Sequence, residues 1–471
     1  MKIVDLKIKG ISSNSKEVKK DFVFVAIKGN RQDGNLFIRE AIARGASVVV
    51  VEKEVPHLKG QRKVVFWVVN DCRKFFAQAT HKFYGAPSDK VKVIGITGTN
   101  GKTTISYLVE AIAKESASSC GVIGTINYRF KGETIVAKNT TPGAGQLQSL
   151  LMKMCRQKVK YCAMEVSSHA LDQERVGGIN FSCAIFTNLT QDHLDYHKNF
   201  ENYFQAKAKL FSALAPQAHT IINNDDQYGN RLKQLTKAKI WTYAIKNKAD
   251  LMAKNINFSI TGTEFTLVTP GRKIRIKTKL IGRHNIYNIL AAASWGLSEK
   301  LQICDIKSAI EKFENVPGRL QRVDCSPGLS IFVDYAHTPD ALFNVISALR
   351  PLVKGKLVVV FGCGGERDKL KRPLMGRVVT ELADFAVITS DNPRCEDPVQ
   401  IIKDIQRGIR KNNYCAAVDR RQAIRKGLSL IKKGDCLLLA GKGHEECQIL
   451  KRKVVKFNDR KVVRECLKLM I

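Results

Sequence analysis

Short apolar runs, each ending abruptly in glycine or polar residues and followed by a helical pattern, recur along this chain. Residues 91–97 run into Gly98-Thr-Asn-Gly-Lys-Thr-Thr104, residues 161–164 into Glu165-Val-Ser-Ser-His169, and residues 182–186 into Thr187-Asn-Leu. Four later runs behave alike, ending at Asp334-Tyr-Ala-His337, Gly362-Cys-Gly-Gly, Ser390-Asp-Asn-Pro-Arg394 and Gly441-Lys-Gly-His444. Uninterrupted apolar strands that alternate with helices predict parallel sheets covered on both faces. Such sheets bind ligands beyond the carboxyl ends of their strands, which is where every one of these polar clusters falls.

At 471 residues the chain is long enough for about three domains. Turn-rich Tyr84-Gly-Ala-Pro-Ser88 and the break at Val316-Pro-Gly-Arg319 place boundaries near Lys90 and Arg319, giving units 1–90, 91–319 and 320–471. Alternating residues between 240 and 279 predict a β insertion in the middle unit.

Composition narrows the class. The longest apolar runs have strand length, far below the ~20 residues of a membrane helix. The start, Met1-Lys-Ile-Val-Asp-Leu, alternates charged and apolar residues, which predicts no leader and a cytoplasmic protein. Thirteen cysteines lie scattered, with no CxxC pair and no Cys/His metal spacing, and so read as reduced thiols. The net charge of +35 raises nucleic-acid binding as a possibility. The lysines are spread over the whole chain without an aromatic-interleaved basic block, so no specific nucleic-acid partner is expected.

The strongest chemistry is at Gly95-Ile-Thr-Gly98-Thr-Asn-Gly101-Lys102-Thr103-Thr104, between a strand and an amphipathic helix with Ile105, Leu108, Val109 and Ile112 on one face. Glycines let backbone N–H groups approach phosphate oxygens, and the helix N-terminus adds positive potential. Lys102 is placed for the outer phosphates and the Thr103 hydroxyl for Mg²⁺. The loop departs from GxxxxGK[ST], because Ile96 stands where the first glycine belongs.

The variant TGTNGKTT resembles that of the Mur ligases and folylpolyglutamate synthetases, and the likeness continues along nearly the whole chain. It runs through Asn139-Thr-Thr-Pro142, Glu165-Val-Ser-Ser-His169, residues 188–197 (NLTQDHLDYH), Tyr203-Phe-Gln-Ala-Lys207, residues 282–288 (GRHNIYN), Pro317-Gly-Arg-Leu320, residues 334–339 (DYAHTP), residues 362–368 (GCGGERD), Asp391-Asn-Pro-Arg394 and Gly441-Lys-Gly-His-Glu445. DYAHTPDAL together with DNPR resembles the MurE branch of the Mur ligases.

That resemblance implies a small N-terminal α/β UDP-binding domain, a central P-loop ATPase-like domain and a C-terminal Rossmann-like domain. It implies ATP-dependent addition of meso-diaminopimelate to UDP-MurNAc-L-Ala-D-Glu in peptidoglycan synthesis, by a monomer without a membrane partner. The alternatives are L-lysine or another diamino acid as substrate, a Mur-like ligase of another pathway, and a basic nucleotide-binding module without catalysis.

By the same resemblance, ATP meets Gly98, Thr99, Asn100, Gly101, Lys102, Thr103, Thr104, Asn285, Asn288, Arg319 and Asp334. Two Mg²⁺ ions fall to Thr103, Glu165, His193 and Lys207, with Lys207 carrying a CO₂-derived carbamate. Lys102, Glu165, His193 and Lys207 form the catalytic set. The UDP-sugar dipeptide matches Ser13, Ser15, Asn30, Arg31, Gln32, Asn139, Thr140, Thr141, Ser167, Gln173 and Arg175. The incoming amino acid matches Arg367, Asp391, Asn392, Pro393, Arg394, Gly441 and Glu445. Arg394 suits diaminopimelate physically, since a guanidinium grips a distal carboxylate and repels the ammonium of lysine. Cys447 departs from the family, where an aromatic residue is common.

Overall fold

The computed structural model describes residues 8–29, 32–55, 64–323, 328–451 and 453–468. Three sheets organise the chain, and in each the apolar runs lie inside. The first is four parallel strands in sequence order: β1 (Gly10–Ser12), β2 (Phe22–Val25), β3 (Ala46–Val51) and β4 (Val65–Val68).

The second sheet has eleven strands. Its parallel body comprises β5 (Lys92–Thr97), β6 (Cys120–Ile123), β9 (Tyr161–Glu165), β10 (Phe181–Phe186), β11 (His219–Asn223) and β12 (Lys239–Ala244), flanked on one edge by the antiparallel hairpin β7 (Asn127–Phe130) and β8 (Glu133–Val136). On the other edge stand β13 (Leu251–Ser259), β14 (Gly262–Thr269) and β15 (Arg272–Thr278), in the order β15-β14-β13-β12-β11-β10-β5-β9-β6-β7-β8.

The β segment expected at 240–279 therefore divides. Strand β12 pairs in parallel with β11 and belongs to the main sheet, while β13 to β15 extend its edge, with β14 antiparallel to both neighbours. The alternating pattern signalled a two-sided environment but not which neighbour each strand would pair with.

The third sheet, of six strands, has the order β16-β17-β21-β18-β19-β20. These are β16 (Gln321–Arg322), β17 (Ser330–Asp334), β18 (Leu357–Phe361), β19 (Phe385–Thr389), β20 (Tyr414–Ala417) and β21 (Cys436–Ala440). A separate hairpin, β22 (Cys447–Leu450) and β23 (Lys453–Lys456), follows.

Both faces of the central sheet are covered. Helix Lys102–Glu115 buries Ile105, Leu108, Val109 and Ile112 beside helix Arg283–Ser298, where Trp295 meets Tyr161 edge-on at 5.2 Å. Helices Ala144–Arg156 and Phe200–Ser212 close the opposite face over Leu147, Leu151, Phe204 and Phe211. Every described cysteine is unpaired. Among the described residues no helix is long and apolar enough to cross a membrane.

Candidate active site at the carboxyl edge of the central sheet

Strand β5 lies between β9 and β10, with Ile96 opposite Glu165 and Thr97 opposite Phe186. That register brings the loop 98–101, the Glu165 carboxylate and the segment after Phe186 to one edge. Gly98 (φ +146°) and Gly101 (φ +91°) shape the loop, and a Cβ on Gly98 would collide with the Thr187 hydroxyl. Asn188 braces it three times: its carbonyl accepts from Thr99 N (2.9 Å), its side-chain oxygen accepts from Asn100 N (3.0 Å), and its Nδ2 donates to Asn100 O (3.3 Å). The Thr187 hydroxyl donates to Asn100 O at 2.6 Å. Lys102 folds over the loop and donates to Gly98 O and Thr99 O, both at 2.8 Å. Burial lowers the Lys102 ammonium from its ordinary pKa, with Glu165 opposing the shift.

Glu165 is 1 % exposed. Its Oε2 accepts from the Thr103 hydroxyl at 3.0 Å and the Thr125 hydroxyl at 2.9 Å, and its Oε1 from Thr125 N at 2.9 Å. Thr125 also meets the Thr140 hydroxyl at 3.1 Å and so links this carboxylate to the 139–141 loop. Sequence reasoning missed Thr125. Its signal was the Gly-Thr pair directly after β6, where a Cβ on Gly124 would overlap the Glu165 carboxylate.

Lys207 points inward from helix Phe200–Ser212, 2 % exposed, and donates to Gly98 O at 3.0 Å. Its Nζ lies 4.4 Å from the centre of the Tyr203 ring. Burial, reinforced by nearby Lys102, pushes its pKa well below the ordinary lysine range. Burial thus disfavours the charged ammonium at this position. His193 lies near the same tyrosine, 6.3 Å between ring centres, with 45 % of its side chain accessible and a left-handed backbone (φ +55°). Desolvation moves its imidazole down to about 4 against the pull of Asp192. Thr103, Glu165, His193, Lys102 and Lys207 therefore face one edge.

The third sheet closes over this edge. Arg319 Nη2 donates to the Thr103 hydroxyl at 3.2 Å and its guanidinium lies 4.7 Å from the centre of the Tyr335 ring, while Arg319 Nε is buried without a partner. Asp334, at the end of β17, accepts from Leu320 N (2.5 Å) and Ala336 N (2.7 Å) and so pins the 316–320 connection to the third sheet. Asp340, which sequence reasoning passed over, accepts from Asn100 Nδ2 at 2.8 Å and Thr190 Oγ1 at 3.2 Å. Asn285 and Asn288 are buried on helix Arg283–Ser298 and bond to each other at 3.1 Å, Asn288 lying directly under Gly101.

The residues matched to the sugar-nucleotide peptide fall in two groups. Thr141 accepts from Ser167 N (3.1 Å) and donates to Glu165 O (2.8 Å), and its carbonyl takes Arg175 Nη1 at 3.0 Å. Arg175 also reaches Gln173 Oε1, at 2.7 Å from Nη2, and Tyr128 Oη holds Asn139 O at 2.6 Å. In the first sheet, Ser13 and Gln32 are exposed, whereas Ser15 turns inward to Glu40 at 2.7 Å. Asn30 and Arg31 lie outside the described residues.

At the carboxyl edge of the third sheet, Arg394 Nη1 donates to Gly365 O at 2.6 Å, and its backbone is stitched to the β22–β23 hairpin through Ile449 O (3.1 Å) and Lys451 N (2.6 Å). Arg367 is exposed beside it: a Cβ on Gly364 would stand 3.1 Å from Arg394 Nη1 and 3.8 Å from Arg367 Cγ. Asp391, Asn392 and Pro393 are buried, and Asn392 Nδ2 donates to Glu445 Oε2 at 2.8 Å. Burial raises the Asp391 carboxyl, with Lys442 opposing. Gly441 packs against Asp391.

A phosphate loop faced by a buried carboxylate, with a further α/β unit reaching into it, defines a nucleotide-using α/β enzyme. The family patterns agree along the chain: "Mur ligase family, catalytic domain" matches residues 7–84, "Mur ligase middle domain" residues 96–296, and "Mur ligase, glutamate ligase domain" residues 318–443. The chain is 43% identical over 466 residues to the UDP-N-acetylmuramoyl-L-alanyl-D-glutamate–2,6-diaminopimelate ligase of Clostridium tetani, covering 98% of this chain and 96% of that one. With the protein of that name from Aquifex aeolicus it shares 45% over 462 residues, 98% and 94% of the two chains. A solved ligase of the same name superposes with a TM-score of 0.72 at 32% identity, covering 98% of this chain and 95% of that one. The MurF ligase of Thermotoga maritima in complex with ADP shares the fold, with a TM-score of 0.63 at 20% identity and the full length of both chains covered. The chain belongs to the Mur ligase family.

Proposed function

We propose that this chain joins meso-diaminopimelate to UDP-MurNAc-L-Ala-D-Glu, using ATP, as the names of its relatives from Clostridium tetani and Aquifex aeolicus state for those proteins. The observation that carries the reading is the meeting of the phosphate loop, the buried Thr103–Glu165 pair and Lys207 at one sheet edge, with Arg319 reaching in from the 316–320 connection. Residues 1–90 take the UDP-linked substrate, 91–319 take ATP, and 320–471 take the amino acid.

The terminal carboxylate of the dipeptide attacks the γ-phosphorus, and the bond to ADP breaks. The amine of the incoming amino acid then attacks the acyl carbon, phosphate departs and the amine loses its proton. A free carboxylate is a poor electrophile, so most of the protein's work is positioning and charge neutralisation. Backbone N–H groups of the loop and Lys102 hold the triphosphate, with Thr99, Asn100, Gly101 and Thr104 shaping the cradle. Arg319 adds positive charge once the third unit has closed. Asn285 and Asn288 support the nucleotide end.

Thr103 Oγ1 and Glu165 Oε2, 3.0 Å apart, would hold a magnesium ion, since both are the hard oxygen donors such an ion prefers. His193 and Lys207 would hold a second ion. Magnesium, when bound, offsets phosphate charge. Lys207 suits carbamylation because burial disfavours its ammonium: the ammonium first gives up a proton, the neutral nitrogen adds to CO₂ and loses a second proton, and the group ends as an oxygen-bearing anion. The ligase works as a cytoplasmic monomer without a specific nucleic-acid partner.

The test is phosphate release with ATP, Mg²⁺, the UDP-linked dipeptide and a panel of amino acids. Faster release with meso-diaminopimelate than with L-lysine is expected. Equal rates remove the role given to Arg394, and no ATP consumption with any diamino acid overturns the reading. Intact mass spectrometry under mild conditions checks for one added CO₂ that disappears in Lys207→Ala.

A further inference from the structure

The turn after β21 is confined by its glycines. Gly441 (φ +108°) and Gly443 (φ +56°) adopt backbone conformations that side chains resist. A Cβ on Gly441 would stand 2.5 Å from Asp391 Oδ2, and one on Gly443 2.7 Å from Tyr335 Cβ. Lys442 lies between them with 0 % of its side chain accessible. A buried ammonium needs compensation, and Lys442 finds it in two groups: Nζ donates to Asn392 Oδ1 at 3.1 Å and to Glu445 Oε2 at 2.9 Å. Asn392 Nδ2 donates to that same carboxylate oxygen at 2.8 Å, so the three side chains form a closed triangle. Asn392 Oδ1 also accepts from Ile449 N at 3.0 Å, which ties the triangle to the hairpin beside Arg394. From beneath, Arg420, ion-paired with Asp459 at 2.6 Å, donates to Ala440 O at 3.0 Å and steadies the approach to the turn.

Two consequences follow. Lys442 fixes where Glu445 and Asn392 point. It also places a fully buried positive charge beside Glu445 and Asp391, and the same Asn392 ties it to the hairpin that holds Arg394. A diamino acid with a second carboxylate is attracted by the cations Lys442 and Arg394, and one without it is not.

We propose that Lys442 is a positioning residue of the amino-acid pocket, clamping Asn392 to Glu445 and, through its charge, selecting a diamino acid with two carboxylates over one with a single carboxylate. The proposal rests on the reading of this pocket as the amino-acid site and adds to it a residue outside the contact set.

Phosphate-release kinetics of the full-length chain test it, using Lys442→Met, which keeps the stem and removes the charge, and Lys442→Gln, which keeps a donor. In Lys442→Met the KM for meso-diaminopimelate is expected to rise about tenfold or more, as when one partner of a buried charge pair is removed. The KM for ATP should stay within about twofold, because the change confines itself to one pocket. The ratio of kcat/KM for meso-diaminopimelate over L-lysine should fall about tenfold, since the loosened clamp weakens both substrates while the lost charge weakens the dicarboxylate further. Lys442→Gln should lose selectivity with a smaller rise in KM. A ratio that stays constant while both diamino acids weaken equally marks a merely structural lysine and overturns the proposal, and so does a chain that folds with neither substitution. Wild-type protein inert toward every diamino acid overturns the pocket reading itself and this inference with it. An active wild type whose selectivity does not move in the variants overturns this inference alone.

Discussion

Glu165→Gln separates a metal-binding role from a structural one. The carboxylate accepts three hydrogen bonds inside the protein, two from hydroxyls and one from the backbone N–H of Thr125. A glutamine can keep all three. Its carbonyl oxygen takes Oε1's place before Thr125 N, and its NH₂ faces the Thr103 and Thr125 hydroxyls, which rotate from donating to accepting. A charge at 1 % exposure is also replaced by a neutral group. The unliganded variant should therefore match the wild type within about 1 kcal/mol, or exceed it. Glu165→Ala instead strands the Thr125 N–H and should cost about 2–3 kcal/mol. Activity should order differently. Losing the anionic oxygen beside Thr103 removes the protein's charge from the proposed magnesium position, worth about 3 kcal/mol or more, or roughly 10²-fold or more in turnover. Urea melts supply the first quantity and phosphate release across a magnesium titration the second. A Glu165→Gln enzyme within about threefold of wild-type kcat, with an unchanged magnesium requirement, refutes the reasoning.

Other outcomes follow from the same structure. Gly98→Ala places a methyl group in the Thr187 hydroxyl at φ +146°; ATP binding measured by calorimetry should weaken at least about 10²-fold, alongside a stability loss of about 2–4 kcal/mol. Asp340→Ala removes the acceptor shared by Asn100 and Thr190; the KM for ATP should rise about threefold to tenfold while the thermal midpoint moves little. His284 is held by burial at a pKa of about 4 rather than 6.5. The unfolded chain binds its proton below 6.5 and the folded chain only near 4, so stability falls as pH drops through that window, by roughly 2–3 kcal/mol from this group. Urea unfolding at pH 7 and pH 4.5 should show the loss in wild type and a smaller one in His284→Asn.

The seven strand-to-loop transitions were legible because an apolar run of strand length and a glycine-rich or polar stop are local signals. Sheet register then placed those stops together, with Ile96 opposite Glu165 and Thr97 opposite Phe186. The amphipathic face at Ile105, Leu108, Val109 and Ile112 was equally plain and is buried as its spacing predicts. Thr125 and Asp340 escaped notice for the opposite reason. Thr125 meets Glu165 40 positions away and Asp340 meets Asn100 240 positions away, and nothing in Gly-Thr or Thr-Pro-Asp says which carboxylate or amide will be opposite.

Lys207 shows the division most sharply. In the sequence it is one of 78 basic residues on an ordinary helical pattern, and family resemblance alone singled it out. Its environment comes from the tertiary structure, which seals it at 2 % exposure against Tyr203 and Gly98 O, where an ammonium is poorly solvated and its pKa is pushed down. Lys442 became visible in the same way, when folding closed a triangle around it. The sequence alone determined where strands stop, where backbone must approach phosphate, and the family to which those stops belong, because local sterics and periodicity act over a few residues. The fold decided which charges lose water and which partners compensate them, because burial and pairing depend on segments that meet only after the sheets have assembled.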